Sequence, residues 1–419
     1  MRIEEALRYL SKRADEAEVY YSSSNGNAIV LKKGEIELYK DSTSTGYGVR
    51  VIKGKRMGFS FANQLDEGLL DKALSVARVS GRDTNLALPT KGKSFLEVDI
   101  YDAEIAEINA EDAASLALEL VKPSEDIGVI PSSASFSWRT SMVEVLSTHG
   151  VHCSEEDTAC FAFVSTVAGD GEAASGFHHD ASRRLDLDMA GIGRTAAELA
   201  KNSLGAKGID KMKTSVILRP EAVAELLGNT LIPAFIADNV QRKRSPLAGR
   251  LGEKLFHELN IIDDGTMKGG LGSSGFDGEG VASQRTVLVE EGVLKGFLFD
   301  TYTGVKEGNE STGNADRDSY ASIPHVDSTN FVINGRGGLS DTGLVVHGLI
   351  GAHTSNPVTG DFSVETRNAF LDGSPVKKAI LSGNVYELLG NIGGLGDDVK
   401  QVFSVVTPSL EFLDVGIAG

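Results

Sequence analysis

The apolar pattern is sharpest over residues 214–240. Ser215-Val216-Ile217-Leu218 reads as a short strand, and Arg219-Pro220 then opens a helix, since a proline in the first turn has no intrahelical N–H bond to lose. Ala222, Val223, Leu226, Leu227, Leu231, Ala234, Phe235 and Ala237 follow at mostly three- and four-residue steps, which lays them on one face of a helix. Pro233 predicts a kink there, or a break into two helices.

Toward the N-terminus the period shortens. A helix is predicted over 4–13, then short strands over 17–21, 27–31, 36–40 and 46–52, with Asn25-Gly26 and Lys33-Gly34 as hairpin turns. A strand over 57–62 and a helix over 67–79 complete a meandering antiparallel module. Residues 86–101 carry little periodicity and read as a linker. A middle module follows, with a helix over 110–120, strands over 132–145 and 159–168, and a long helix over 182–201. The Lys-, Gly- and Asn-rich stretch 201–213 marks a boundary. Beyond residue 260 the texture is glycine-punctuated strand. It includes a loop over 268–280, a hairpin turning at Glu290-Glu291-Gly292, and strands over 330–333, 343–349, 361–366, 369–371, 376–381 and 402–406, with a helical turn over 385–389. The expectation is an α+β chain: an N-terminal α+β module over 1–85, a middle module over 86–205, and a largely antiparallel β domain with one principal helix over 206–419. No internal repeat is visible.

Composition narrows the function classes. A chain of 419 residues suits two or three domains. Its formal net charge of −18 repels phosphate, which argues against direct nucleic-acid binding. No apolar run reaches the roughly 18 residues of a membrane span, and the start has no signal-peptide core. Two cysteines fit a reducing compartment, so a soluble cytoplasmic protein is expected, without membrane contact.

Familiar catalytic sets are incomplete. Gly270-Leu271-Gly272-Ser273-Ser274-Gly275 matches G-x-G-x-x-G by letter, yet no helix follows to receive a pyrophosphate. His149, His152, Cys153 and Cys160 carry zinc-type donors, but His152 and Cys153 point to opposite faces if the segment is a strand. His178-His179 diverge for the same reason. His257-Glu258 lacks the second His of H-E-x-x-H, because Ile261 stands there. Asp277 and Glu279 read as loop acids beside glycines, the usual turn usage, rather than as a catalytic pair.

Four segments together resemble the TldD/PmbA family, once described as modulators of DNA gyrase and regarded as two-subunit metallopeptidases. They are Gly46-Tyr47-Gly48-Val49-Arg50-Val51-Ile52, the block 263–300, Ser355-Asn356-Pro357-Val358-Thr359-Gly360-Asp361-Phe362-Ser363, and Ile380-Leu381-Ser382-Gly383-Asn384. In the block, Asp277-Gly278-Glu279-Gly280-Val281 and Leu288-Val289-Glu290-Glu291-Gly292-Val293-Leu294 follow the pattern closely, and the order holds over nearly the whole chain. The resemblance implies two branches, one with H-E-x-x-x-H on the central helix and a Cys near the C-terminus that together hold zinc. Here the aligned helix reads Leu226-Leu227-Gly228-Asn229-Thr230-Leu231-Ile232-Pro233. Gly228 and Pro233 then stand at the ligand positions, Asn229 at the general-base position, and Gly394 near the Cys position. None offers a zinc ligand or a base. The implied reading is the PmbA (TldE) branch: a non-catalytic subunit without its own cofactor, paired with a zinc-bearing TldD-like subunit or with itself, and shaping a channel for unfolded peptide. Gly272, Ser273, Ser274 and Gly275, with His353, Thr354, Ser355, Asn356 and Asp361, are the expected channel surfaces. The alternatives are an active metal-dependent peptidase, with His353 and Asp361 among its ligands, and a peptide-binding homodimer.

Overall fold

The structure, a computed structural model, describes residues 1–92 and 94–419. Helix α1 (Ile3–Leu10) leads into three antiparallel strands, β1 (Glu16–Lys32), β2 (Glu35–Ile52) and β3 (Met57–Ala62), and then helix α2 (Glu67–Val79). Helices α3 (Ala103–Glu107), α4 (Ala110–Glu119) and α5 (Lys122–Ile127) precede a second meander, β4 (Ile130–Ser147), β5 (His152–Ala168) and β6 (Ala174–Ser182), closed by helix α6 (Met189–Asn202). The meanders join through β1 and β4 into one six-stranded sheet ordered β3-β2-β1-β4-β5-β6.

That order is a repeat that the sequence hides. Each half is a three-stranded meander whose last strand carries a helix. The contact is the same in both: a Cβ on Gly58 would sit 2.0 Å from the Ala73 carbonyl oxygen, and one on Gly176 would sit 2.0 Å from that of Ala196. Helix and strand backbones touch there, so only glycine fits. Three positions per unit (Gly, Ala, and an Ala four residues on) are too few to register as sequence similarity.

Two expectations fail in this sheet. The four short strands over 17–52 are two long ones, and Asn25-Gly26 lies within β1 instead of turning. Gly26 is paired with Ser42 on one side and Arg139 on the other, so ladder bonds on both edges override the local turn preference. The chain reverses at Lys33-Gly34, both at positive φ (52° and 85°), as a tight hairpin requires. The expected helix over 182–201 begins only at Met189, where the Asp188 carboxylate accepts the Gly191 N–H, and β6 stands unforeseen before it.

Helix α2, like α6, is fastened by an aspartate cap and a buried apolar face. The Asp66 carboxylate accepts the Leu69 N–H at 2.8 Å, and Leu69, Leu70, Ala73, Leu74 and Ala77 are buried against the sheet. Asp66→Ala is expected to lower stability by about 1 kcal/mol, measured by urea denaturation. An unchanged midpoint would show the cap to be energetically idle.

The C-terminal half follows β7 (Met212–Leu218) with helix α7 (Pro220–Thr230), then the short helices α8 (Ile232–Phe235) and α9 (Ala237–Gln241), so the chain does break at Pro233. Next come β8 (Asn260–Asp264), β9 (Arg285–Glu290), β10 (Val293–Leu294), helix α10 (Thr301–Glu307), and the two-residue strands β11 (Ala315–Asp316) and β12 (His325–Val326). Strands β13 (Phe331–Asn334), β14 (Leu344–Ile350), β15 (Asp361–Leu371), β16 (Ser374–Val376) and β17 (Ile380–Asn384) follow, then helix α11 (Val385–Gly390) and β18 (Ile392–Leu395), β19 (Lys400–Val402), β20 (Val405–Thr407) and β21 (Leu410–Ala418). Pairing runs β14-β7-β21-β17-β15, and β15 pairs back to β14, closing a ring. A second sheet is ordered β10-β9-β8-β13-β20-β19. The apolar face of α7 enters the core between them: Val223, Leu226, Leu227 and Leu231 pack in one cluster with Phe235, Phe331, Leu410 and Phe412. Strand β21 was missed, and the two strands expected over 361–371 are one. Among the described residues no helix is long and apolar enough to cross a membrane.

Candidate functional site

A cavity of about 1090 Å³ lies between one face of the first sheet and the loops of the C-terminal half. Strands β1, β2, β4 and β5 supply one wall. The glycine loop, the β11 segment and the β19–β20 turn supply the other. The glycine loop is held to the sheet by Glu155 of β5, whose carboxylate accepts the Ser274 hydroxyl and the Gly275 N–H, the latter at 2.9 Å. Gly272 donates its N–H to Asn330 Oδ1 at 2.9 Å, and Ser273 is buried with its hydroxyl on the Met267 carbonyl. Gly272 and Ser274 therefore line the cavity, while Ser273 and Gly275 hold the loop's shape.

The other expected surface stands elsewhere. His353 and Thr354 are exposed in a single 3-10 turn, Ala352–Thr354, and Ser355 is buried after it. Asn356 accepts the Val358 N–H, and the exposed Asp361 carboxylate accepts the Thr359 hydroxyl at 2.7 Å and the Asn384 amide at 2.8 Å. None of the five lines the cavity.

Behind the glycine loop the sequence reading needs correction. Asp277 and Glu279 are not solvated turn acids: both are buried, in a charge network with Glu18, Arg50 and Arg317. Glu18 and Arg50 are cross-strand partners on β1 and β2. Arg50 bridges Glu18 and Glu279 at 2.8 Å each, and Arg317 binds the other Glu18 oxygen. Two carboxylates and two guanidiniums balance, as buried ions must. Burial opposes the charge on Arg50, but the Glu18 and Glu279 carboxylates outweigh it and hold its guanidinium above the ordinary value. Burial likewise pushes Glu279 up, and Arg50 and the Thr301 N–H bring it below the usual range. Asp277 has no cationic partner among the described residues. Burial and then the neighbouring Glu279 push its carboxyl up to about 8, with the Glu279, Val281 and Ala315 N–H groups directed at it. One signal was available in the sequence: Glu18 between Ala17 and Val19, and Arg50 between Val49 and Val51, are charges inside apolar strand runs.

The zinc-ligand positions that the resemblance assigns lie on and after α7. A Cβ on Gly228 would meet nothing within 4 Å, and Asn229 is exposed with its amide on the Glu225 carbonyl at 2.8 Å. Pro233 sits in the first turn of α8. At Gly394 a Cβ would lie 1.9 Å from the Gly338 carbonyl oxygen, so this backbone has no room there for a cysteine. These four residues do not fit a zinc ion. The other zinc-type set is dispersed: Cys153 Sγ contacts the Val145 carbonyl and Cys160 Sγ that of Arg184, both thiols buried, while His152 is exposed.

Near the start of α7 lies an ionisable cluster that sequence reasoning did not assemble. Glu221 accepts from Lys400 at 3.0 Å and stands 3.6 Å from His178, and Glu225 pairs with Arg367 at 2.9 Å. His178, His179 and His347 are each held down to about 4, mainly by burial and then by the Lys400 charge, or by Arg219 for His347. His178 and His347 come from β6 and β14, far apart in sequence, so no spacing rule could join them.

The family model of the PmbA/TldA metallopeptidase C-terminal domain matches residues 211–419, that of domain 1 matches 17–79, and that of the central domain matches 103–204. An uncharacterized protein of Methanocaldococcus jannaschii is 36% identical over 98% of this chain and 99% of its own. The metalloprotease PmbA of Escherichia coli O157:H7 is 26% identical over 99% of this chain and 94% of its own. Among solved structures, TldE from Thermococcus kodakarensis superposes with a TM-score of 0.91 at 28% identity, covering all of both chains. A Thermotoga maritima protein described as a modulator of DNA gyrase superposes at 0.92 with 26% identity, again over both whole chains. This chain belongs to the PmbA/TldD family of metallopeptidase-like proteins.

Proposed function

We propose that this chain is the TldE-like, non-catalytic subunit of a two-subunit metallopeptidase, and that its cavity forms part of the channel along which unfolded peptide reaches a zinc-bearing TldD-like partner. One observation carries the reading: Gly228, Asn229, Pro233 and Gly394 have no side chain able to ligate zinc or act as a base, and Gly394 lacks the space to accept one. A peptidase of this type needs three protein ligands and an activated water. The TldE structural neighbour and the cavity beside the glycine loop support the same role. His353 and Asp361 lie on an exposed turn outside the cavity, which favours the channel reading over a metal centre there.

The test is zinc analysis and digestion of an unfolded protein such as reduced casein, with this chain alone and with it mixed with a TldD-like protein encoded in the same genome. The chain alone is expected to retain no stoichiometric zinc and to cleave nothing, and the mixture is expected to cleave. Zinc retention together with cleavage by the lone chain overturns the proposal. A stable homodimer that leaves the partner's activity unchanged replaces it with a peptide-binding role.

A further inference from the structure

The cavity carries a charge and aromatic pattern that specifies what it holds. Some of its ions are spent on one another. Asp157 pairs with Arg139 at 3.2 Å and with Arg183, and Glu155 holds the glycine loop. Arg317 turns inward to Glu18 and to the carbonyls of Gly278 and Ser322. Lys40 and Asp41 are neighbours on β2 and point to opposite faces of the sheet, so they do not pair. Four other lining carboxylates have no ion pair among the described residues: Asp41, turned to the other face of the sheet with Asn27 and Tyr39, Asp277, enclosed by backbone N–H groups, and Asp316 and Asp327, which are exposed. Asp316 and Asp327 have no cationic partner among the described residues, and with His325 they bring one donor atom each to within 4.8 Å of the others. Asp316 and His325 are paired across β11 and β12, so the strand ladder sets that convergence.

Aromatic surface completes the site. Trp138 and Tyr39 turn away from it: Trp138 is buried with Phe136 in the core on the helix-covered face of the sheet, and Tyr39, the cross-strand partner of Ile29, lies on that same face. On the C-terminal side Phe403 is 55% exposed, its ring stacked on His179 at 5.2 Å and Phe161 at 5.8 Å. Unpaired carboxylates with aromatic faces are the chemistry that recognises a guanidinium or ammonium. Resting on the channel reading above, we infer that this cavity selects an unfolded peptide segment carrying a basic side chain, whose cationic head is held by Asp316 and Asp327 and whose stem lies on the exposed Phe403 ring. A divalent cation is the competing occupant. The inward face favours a side chain, because the two aspartates line the cavity and His325 does not.

Fluorescence anisotropy on the full chain decides, with two labelled, end-blocked, Gly/Ser/Thr-rich peptides differing only in one arginine or citrulline. The arginine peptide is expected to bind about tenfold more tightly. The D316N/D327N variant is expected to erase that preference while keeping the citrulline peptide's affinity. The peptide comparison in the unaltered chain stands even if the variant misfolds. Equal affinity for both peptides overturns the charge selection and leaves the channel reading intact, whereas binding of neither peptide removes both. Stoichiometric uptake of zinc or manganese that displaces the arginine peptide and is lost in D316N/D327N overturns the inference in favour of a metal site.

Discussion

Arg50→Ala lowers the stability of the folded chain by about 3–5 kcal/mol, the largest loss expected from a single side chain outside the apolar core. The substitution leaves Glu18 and Glu279, each 1% exposed, without the guanidinium that bridges them at 2.8 Å on both sides. Arg317 still binds Glu18, so the orphaned charge is mainly that of Glu279, whose other oxygen accepts the Thr301 N–H at 2.9 Å. Glu279 already raises the Asp277 carboxyl, and removing Arg50 removes the cation that holds Glu279 low. The loss reads as a lower urea midpoint. It is expected to be largely recovered in R50M/E279Q, where the uncompensated ion is gone. A shift below about 1 kcal/mol in R50A would mean that the network is solvated and does not fasten the glycine loop to the first sheet.

His179→Phe is expected to stabilise the chain increasingly as pH falls, by about 2–3 kcal/mol more at pH 4.5 than at pH 7. His179 is 8% exposed, its Nδ1 has no hydrogen-bond partner among the described residues, and its ring packs between Phe403, Phe161 and Phe177. Burial, then the facing Lys400, with Arg367 adding and Glu221 opposing, hold the imidazole down to about 4 against an ordinary 6.5. The sign follows from proton binding. Between those values the unfolded chain binds a proton that the folded chain refuses, so stability falls as pH drops from about 6.5 toward 4. Asp277 and Asp263, raised by burial to about 8 and about 6, act in the opposite sense, losing stability as pH rises. They are present in both proteins and cancel in the comparison. Denaturation of both proteins at several pH values checks this, and a pH-independent difference would refute it.

Much of the architecture was legible because its signals are local. The apolar steps of α7, the break at Pro233, the Lys33-Gly34 and Glu291-Gly292 reversals and the glycine loop depend on residues a few positions apart. The errors have one cause. Asn25-Gly26 is a turn by preference and a strand by pairing, and β6 and β21 are nine-residue runs whose strand identity comes from the strands they pair with, β5 and β7.

The candidate site divides along the same line. The chain by itself determined the family pattern, the identity of the residues at the zinc-ligand positions, and a charge balance that disfavours nucleic acid, since residue types and order suffice for these. Only the tertiary structure decided that Asp277 and Glu279 are buried carboxyl groups, that Gly272 and Ser274 line a cavity while His353 and Asp361 do not, and that Asp316, His325 and Asp327 converge. Burial and electrostatic partnership are properties of which surfaces meet. Glu18 and Glu279 share one guanidinium across more than half the chain, and no pattern confined to neighbouring positions encodes that distance.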